Sequence, residues 1–395
     1  MAALLAVAPT GDDVERRAAD TIRGYSGEGD HRTATSVDQA SAQALQKRVR
    51  ATVPRQARDR ARVSLQPFAL NRVDTAAAFV QLQDRRIDGL PMFDAALTDP
   101  GGVSGRIGPI GGDQPIGWTR IVPTGEAALR RTRDGSRHAA IIAVTMGGRP
   151  GLCPVNAAWF TEPFGPPVLQ VSSEHLDAVE RAAAAGLDVR VTAHATRTAA
   201  QALNVVADVR GADPALPPVC VMTPRSGWHA NASERGGGLV CWLETLRAVV
   251  ASPPRRTVRF VASSGHELGH LGLHDYLHRN PTVGRDAYAW VHYGANIGTS
   301  TGDVGMTPSD DDLRGAALRA LAPHGLDHIR QTQAAQVGGE AATIRDAGGR
   351  FISFIGANAW FHNPSDRWPD AVDVAAVARF ARATADLTLQ LANTT

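Results

Sequence analysis

Lysine is almost missing from this chain: only Lys47 among 41 basic residues is not arginine. Together with the abundance of alanine, that reflects GC-rich coding and carries little functional information. A large excess of charge is also absent. The formal net charge of +2 leaves no electrostatic footprint for nucleic acid. No apolar run approaches the roughly 18 residues of a membrane-spanning helix, so no membrane partner is expected. The opening residues, MAALLAVAPTGDD, are apolar but lack a basic start and a full-length apolar stretch, so they do not read as a secretory signal. Cysteine is scarce and odd in number. Cys153, Cys220 and Cys241 are scattered, which fits buried thiols in a reducing, cytoplasmic setting better than a disulfide framework.

What is present is the composition of a soluble globular protein, 43% apolar and 20% charged, over 395 residues. That length can bury a large core plus a smaller second one. Residues 12–22 and 36–50 read as helices, the second with Ser36 as N-cap. Residues 61–82 read as two short strands around a turn at Asn71. Residues 168–172 read as a strand and 174–186 as a helix. From residue 204 strands and helices alternate: strands over 204–211, 218–223 and 257–264, helices over 237–251, 266–279, 311–323 and 371–392. Such alternation predicts a mostly parallel sheet covered on both faces. The Gly- and Pro-rich stretch before it predicts an insertion over 84–195 that folds on its own core, interrupting a larger unit of 1–83 and 196–395.

The most visible motif is HELGH at 266–270. The HExxH zinc pattern needs its two histidines one turn apart on a helix and a third ligand downstream. Here the motif directly follows a strand and Gly265, and Gly272 and His274 fall outside the extended spacing. His270 therefore reads as a polar helix residue facing away from any metal. His229, His270, His274 and His278 show no usable spacing. Trp228 and Trp368 read as lining or core residues.

Five segments resemble the zinc aminopeptidase and glutamate-carboxypeptidase family. TVRFVASSGHELGHLGLHDYL is similar to the family's strand followed by paired glutamates, with His266 at the general-base position and Glu267 at the metal position. ASERGGGLVCWLETLR is similar to its Ala-x-Asp-Asn-x-x-Gly helix. Glu244 and Arg247 fix that register, which puts Glu234 at the bridging aspartate and Arg235 at the asparagine. FHNPSDRWPDAVD resembles the terminal metal histidine, at His362, with a supporting carboxylate at Asp366. DGLPMFD and VNAAWF resemble the protease-associated domain that many members carry.

The resemblance implies an α/β fold in three layers, with a mixed, mostly parallel central sheet and an inserted protease-associated-like, β-rich domain. It also implies zinc, but one ion in place of two. The His-x-Asp expected after PVCVM is Pro224, Arg225 and Ser226, and the remaining aspartate falls on Ala295. Glu234, Glu267 and His362 are left as three ligands with one open position, the catalytic arrangement for zinc, as in the glutaminyl cyclases of this fold. His266 is then the proton shuttle. Arg225 and Arg235 stand in for the lost cation, grip a substrate carboxylate, or pair with Glu234 or Asp366. The expected activity is on an amide or acyl group of a small molecule, by hydrolysis, transfer or cyclisation. The alternative is a metal-free, non-catalytic relative, as the transferrin receptor is, that binds a small molecule or partner protein.

Overall fold

Apolar runs rich in β-branched residues, such as VRFVAS and FISFIG, form short, almost fully buried strands. The computed structural model describes residues 11–394; the opening stretch read above, residues 1–10, lies outside them. The strands are β1 Ala61–Leu82, β2 Arg85–Pro91, β3 Val103–Pro109, β4 Ile116–Ile121, β5 Ala140–Thr145, β6 Val168–Ser172 and β7 Asp188–Val209. They continue as β8 Val219–Pro224, β9 Val258–Ser263, β10 Ala289–Tyr293, β11 Val304–Pro308, β12 Arg330–Gln331 and β13 Phe351–Gly356. The helices are α1 Gly11–Ser26, α2 Ser36–Thr52, α3 Glu126–Arg133, α4 Leu176–Ala184, α5 Gly236–Ala251, α6 Leu271–Arg279, α7 Val283–Asp286, α8 Asp311–Leu321, α9 Glu340–Asp346 and α10 Val374–Asn393.

At the centre β9, β8, β10 and β13 run parallel, flanked by antiparallel β7 on one side and antiparallel β11 on the other. One face is covered by α1, α2, α5, α8 and α10, whose Ile22, Leu45, Trp242, Ala317 and Leu387 join Val221 and Phe260 in one cluster. The other face is covered by α6, α7 and α9, whose Leu273, Tyr276, Val283 and Ile344 pack on Met222, Val261 and Trp290. The expected three-layer α/β arrangement with a mixed, mostly parallel sheet is therefore present. No helix among the described residues is long and apolar enough to cross a membrane.

Several boundaries differ from the sequence reading. Residues 61–82 are one strand, not two. β1 pairs with β7 over their full lengths, Asn71 sits opposite Ala199, and the only irregularity is a bulge between Thr75 and Ala77. A partner strand of equal length outweighs the local turn preference of asparagine. The cap of α2 is Thr35, whose side chain accepts from the Asp38 amide, rather than Ser36. The helix expected from residue 266 starts only at Leu271.

The ribbon of β1 and β7 carries the sheet without a break from the central layer into β2–β6, so the stretch 84–195, expected as an insertion with its own core, is not set apart by a sheet of its own. The apolar residues are nonetheless divided. Ile87, Ile107, Ile116, Ile142 and Leu169 cluster apart from the central core. The intervening region is β-rich, with α3 and α4 against it.

Candidate functional site

The parallel strands β8, β9, β10 and β13 end along one edge of the sheet. Open α/β sheets bind ligands outside these carboxyl ends. The segments that carry Glu234, His266, Glu267 and His362 reach this edge, in two separate places.

The first place holds Glu234 and His362. Asp366 accepts hydrogen bonds from the Ser233 amide (2.8 Å), the Ser233 hydroxyl (2.7 Å) and the Glu234 amide (2.9 Å), fixing the loop before α5. Burial raises its carboxyl to about 6. Glu234 Oε1 lies 2.7 Å from Arg235 Nη2 and 3.5 Å from His362 Nε2, with all three side chains buried. Burial alone would raise the Glu234 carboxyl, but the charges of Arg235, His362 and His266 outweigh it and hold it below the ordinary value. His362 donates from Nδ1 to the Pro154 carbonyl at 2.6 Å, and burial pushes its imidazole down to about 4. Arg235 Nε donates to the Ser226 carbonyl at 2.8 Å.

Glu267, the expected third ligand, turns elsewhere. Its Oε1 accepts from the Thr33 amide and its Oε2 from the Ser226 hydroxyl, both at 2.7 Å. Glu234, Glu267 and His362 therefore do not gather as a ligand set. Arg225 also departs from expectation. It is fully buried, pairs with Asp38 at 2.8 Å and donates to the Leu203 carbonyl. It ties the end of β8 to α2 and β7.

These residues do not fit a zinc ion at the family's position. Pro224, Ser226 and Ala295 offer no imidazole or carboxylate there. A fixed guanidinium already sits on the Glu234 oxygen that a dication would need, and it opposes a second positive charge at that range. Glu234 Oε1, His362 Nε2 and both terminal nitrogens of Arg235 lack hydrogen-bond geometry to any described residue, so ion pairing alone joins them in this remnant.

The second place is a cavity of about 1030 Å³ beside it, the size of a small-molecule site. Its walls come from the 266–274 turn, from the loop and first turns of α9, from the ends of β10 and β13, from Thr124 and Glu126 at the start of α3, and from Asn156 between β5 and β6. Backbone conformation decides what the HELGH segment presents here. Gly265 and Gly269 have φ of 84° and 76°, and His270 itself has φ 60°. This doubly left-handed turn is favoured by glycine, and a Cβ on Gly269 would lie 2.6 Å from the Ala158 carbonyl. It sends Glu267 inward to Thr33 while His266 and His270 face the cavity, their ring centres 5.2 Å apart.

His270 thus points into the cavity with His266, contrary to the sequence reading, although no helix sets the spacing. His266 Nδ1 donates to Glu340 Oε1 at 2.8 Å. His292, from the buried strand β10, lies 3.3 Å from Glu340 Oε2, and its other nitrogen is 2.9 Å from the Ser353 hydroxyl. His270 Nδ1 lies 3.3 Å from the Thr343 hydroxyl. Ligand atoms of His266, His270 and Glu340 all lie within 4.8 Å of one another, the one such group of three His, Cys, Asp or Glu among the described residues. Burial would raise the Glu340 carboxyl, but the neighbouring His266 and His270 and the hydrogen bonds from His266 and His292 hold it well below the ordinary range. Burial lowers His270 to about 4, so its ring is neutral near pH 7. Burial also raises Glu126, against the opposing influence of its own amide and of His266.

Glu340, His292 and Glu126 escaped the sequence reading. The one visible hint was His292, a histidine inside an apolar strand. His229 hydrogen-bonds the Leu152 carbonyl, and His278 is exposed, so neither joins the cluster. Trp228 is a core residue that packs on Phe93 and donates to Asn156. Trp368 packs against the central core.

No family model and no curated protein matches this sequence. Solved structures do match. A zinc aminopeptidase from Bacillus subtilis superposes with a TM-score of 0.78 at 16% identity, over 96% of this chain and 95% of its own. The chain has the fold of the zinc aminopeptidases. A peptidase M28 precursor from Shewanella amazonensis gives 0.76 at 14% identity, over 98% and 96%. An aminopeptidase from Aneurinibacillus sp. strain AM-1 gives 0.73 at 14%, over 98% and 97%. Coverage this complete takes in β2–β6 as well as the central sheet.

Proposed function

We propose that this chain is an aminopeptidase-like, single-zinc enzyme that acts on an amide or acyl group of a small molecule, by hydrolysis, transfer or cyclisation. The observation that carries the reading is the cavity at the carboxyl edge of the sheet, where Glu126, His266, His270 and Glu340 converge on a volume suited to one small molecule. The loss of Ala295 and Pro224 as ligand positions argues against a two-zinc aminopeptidase.

Zinc, when bound, would polarise a carbonyl or lower the pKa of a water molecule. The chain's own contribution is a proton carrier. Glu126, lifted by burial, holds and releases a proton nearer neutrality than an exposed carboxylate does. It comes from the 84–195 insertion, which we read as protease-associated-like and as closing the cavity from above. The buried free cysteines support a reducing, cytoplasmic setting.

The Arg235–Glu234 ion pair favours one other reading, a metal-free binding protein. A panel separates the two: small aminoacyl anilides, N-acyl amides and acyl esters, supplied with zinc and followed by product release. Turnover of one class that co-purifies with the protein supports the enzyme. Failure across the panel, with saturable binding of an intact member by calorimetry, supports the binding protein.

A further inference from the structure

We infer that His266, His270 and Glu340 form a metal site for one zinc-type ion on the cavity wall, displaced from the position the family resemblance implies. The inference rests on the single-zinc reading only for the choice of ion. Two imidazoles and one carboxylate are donors that zinc takes in three-ligand sites with an open fourth position. Donors about 2.0–2.2 Å from a tetrahedral ion stand roughly 3.4 Å apart. His266 and Glu340 are already 2.8 Å apart, and the whole set lies within 4.8 Å, so small side-chain rotations close it.

The surroundings are those of a held ligand set. The second Glu340 oxygen is engaged by His292, His292 is in turn steadied by Ser353, and His270 is steadied by Thr343. Such outer contacts orient metal ligands and fix their tautomers. His270 reaches the set only through a left-handed backbone that a non-glycine residue seldom adopts, φ 60°. Charge separates this site from the remnant beside it. In a chain with 41 Lys and Arg residues, none lines the cavity, whereas Arg235 lies against Glu234. A dication meets no fixed positive charge on the cavity wall. With His266 in the ligand set, proton transfer falls to Glu126.

The test is metal uptake by the full-length protein, with zinc or cobalt(II) alone. Wild type stripped with chelator should take up one equivalent by calorimetry and elemental analysis, and cobalt(II) should show the visible absorption of a four-coordinate ion. H270Q and E340Q should each weaken uptake at least about 100-fold while far-UV circular dichroism and melting stay near wild type. H362Q should bind as wild type does. If either cavity variant fails to fold, H266Q replaces it in the same comparison. No uptake by wild type overturns the site. Uptake lost in H362Q but kept in H270Q and E340Q overturns it as well, and returns the ion to the remnant. Uptake with the expected variant pattern but no turnover of any substrate upholds the site and removes only the hydrolase reading.

Discussion

The Arg235 guanidinium lies 2.7 Å from the Glu234 carboxylate, and both side chains are completely buried. In the resemblance these two positions are an asparagine and a metal-bridging aspartate, so an internal cation sits against the carboxylate once assigned to zinc. Its position explains why a carboxylate and an imidazole that remain close together do not make a metal centre.

That pair should behave as a buried ion pair with no metal to take its place. Arg235→Ala leaves Glu234 charged and unpaired, and breaking such a pair costs about 3–5 kcal/mol. Replacing both with apolar residues of similar volume, Glu234→Leu with Arg235→Met, should recover most of that. Urea unfolding of the two variants checks it. A cost below about 1 kcal/mol for Arg235→Ala would mean that the two groups are not coupled.

Glu267 should prove a tether. It accepts from the Thr33 amide and the Ser226 hydroxyl, so Glu267→Ala strands two buried donors at about 1–3 kcal/mol each. The melting temperature should fall while zinc stoichiometry stays at the wild-type value. Loss of zinc with stability unchanged would restore Glu267 to the ligand role that the resemblance implied.

Much of the architecture was legible because it is written in local pattern. Runs such as TVRFVASS followed by helical spacing specify strand and layer, and the motifs around Glu244 and Asp366 picked out Glu234 and His362, which the structure brings together. The ligand set was not legible, because register places a residue in the chain but does not aim its side chain. Glu267 and His266 are neighbours in sequence, yet the turn between Gly265 and Gly269 sends one to Thr33 and the other to Glu340. Glu340 meets His266 across 74 residues of chain, and Glu126 arrives with α3. Neither meeting leaves a trace in spacing. Asn71 shows the same limit for the fold, where a turn-forming residue was absorbed by a long partner strand.

Asp366 should leave a pH signature on stability. Its folded carboxyl is raised to about 6 by burial, so the folded state holds the proton more tightly than the unfolded one. The stability it contributes is complete below the unfolded value of about 3.9 and is lost as pH rises through about 6. The stability of wild type minus that of Asp366→Asn should therefore fall by on the order of 2–3 kcal/mol between pH 4 and pH 7. Taking the difference cancels the opposite slope of Glu340. A flat difference across that window would show that the three hydrogen bonds from Ser233 and Glu234 keep the carboxyl ionised.

Glu126 should control the acidic limb of activity. A carboxylate that accepts a proton from water must be ionised to work, and burial raises its pKa, so the limb should lie above the ordinary carboxylate range of about 4.3. Positioned acid–base groups contribute about 10²–10⁴-fold. Glu126→Gln should lower kcat by that order, leave KM within a few-fold and abolish the limb. Glu126→Asp should restore part of kcat, because it returns the carboxylate one methylene short. Metal uptake should not change in either variant, since Glu126 lies outside the ligand set, and that separates a proton carrier from a ligand. A residue that merely packed the insertion against the central layer would alter melting and KM together and leave the pH limb in place. If Glu126→Gln keeps kcat within about threefold of wild type, far short of that acid–base range, proton transfer runs through another group, and His266 returns to that role.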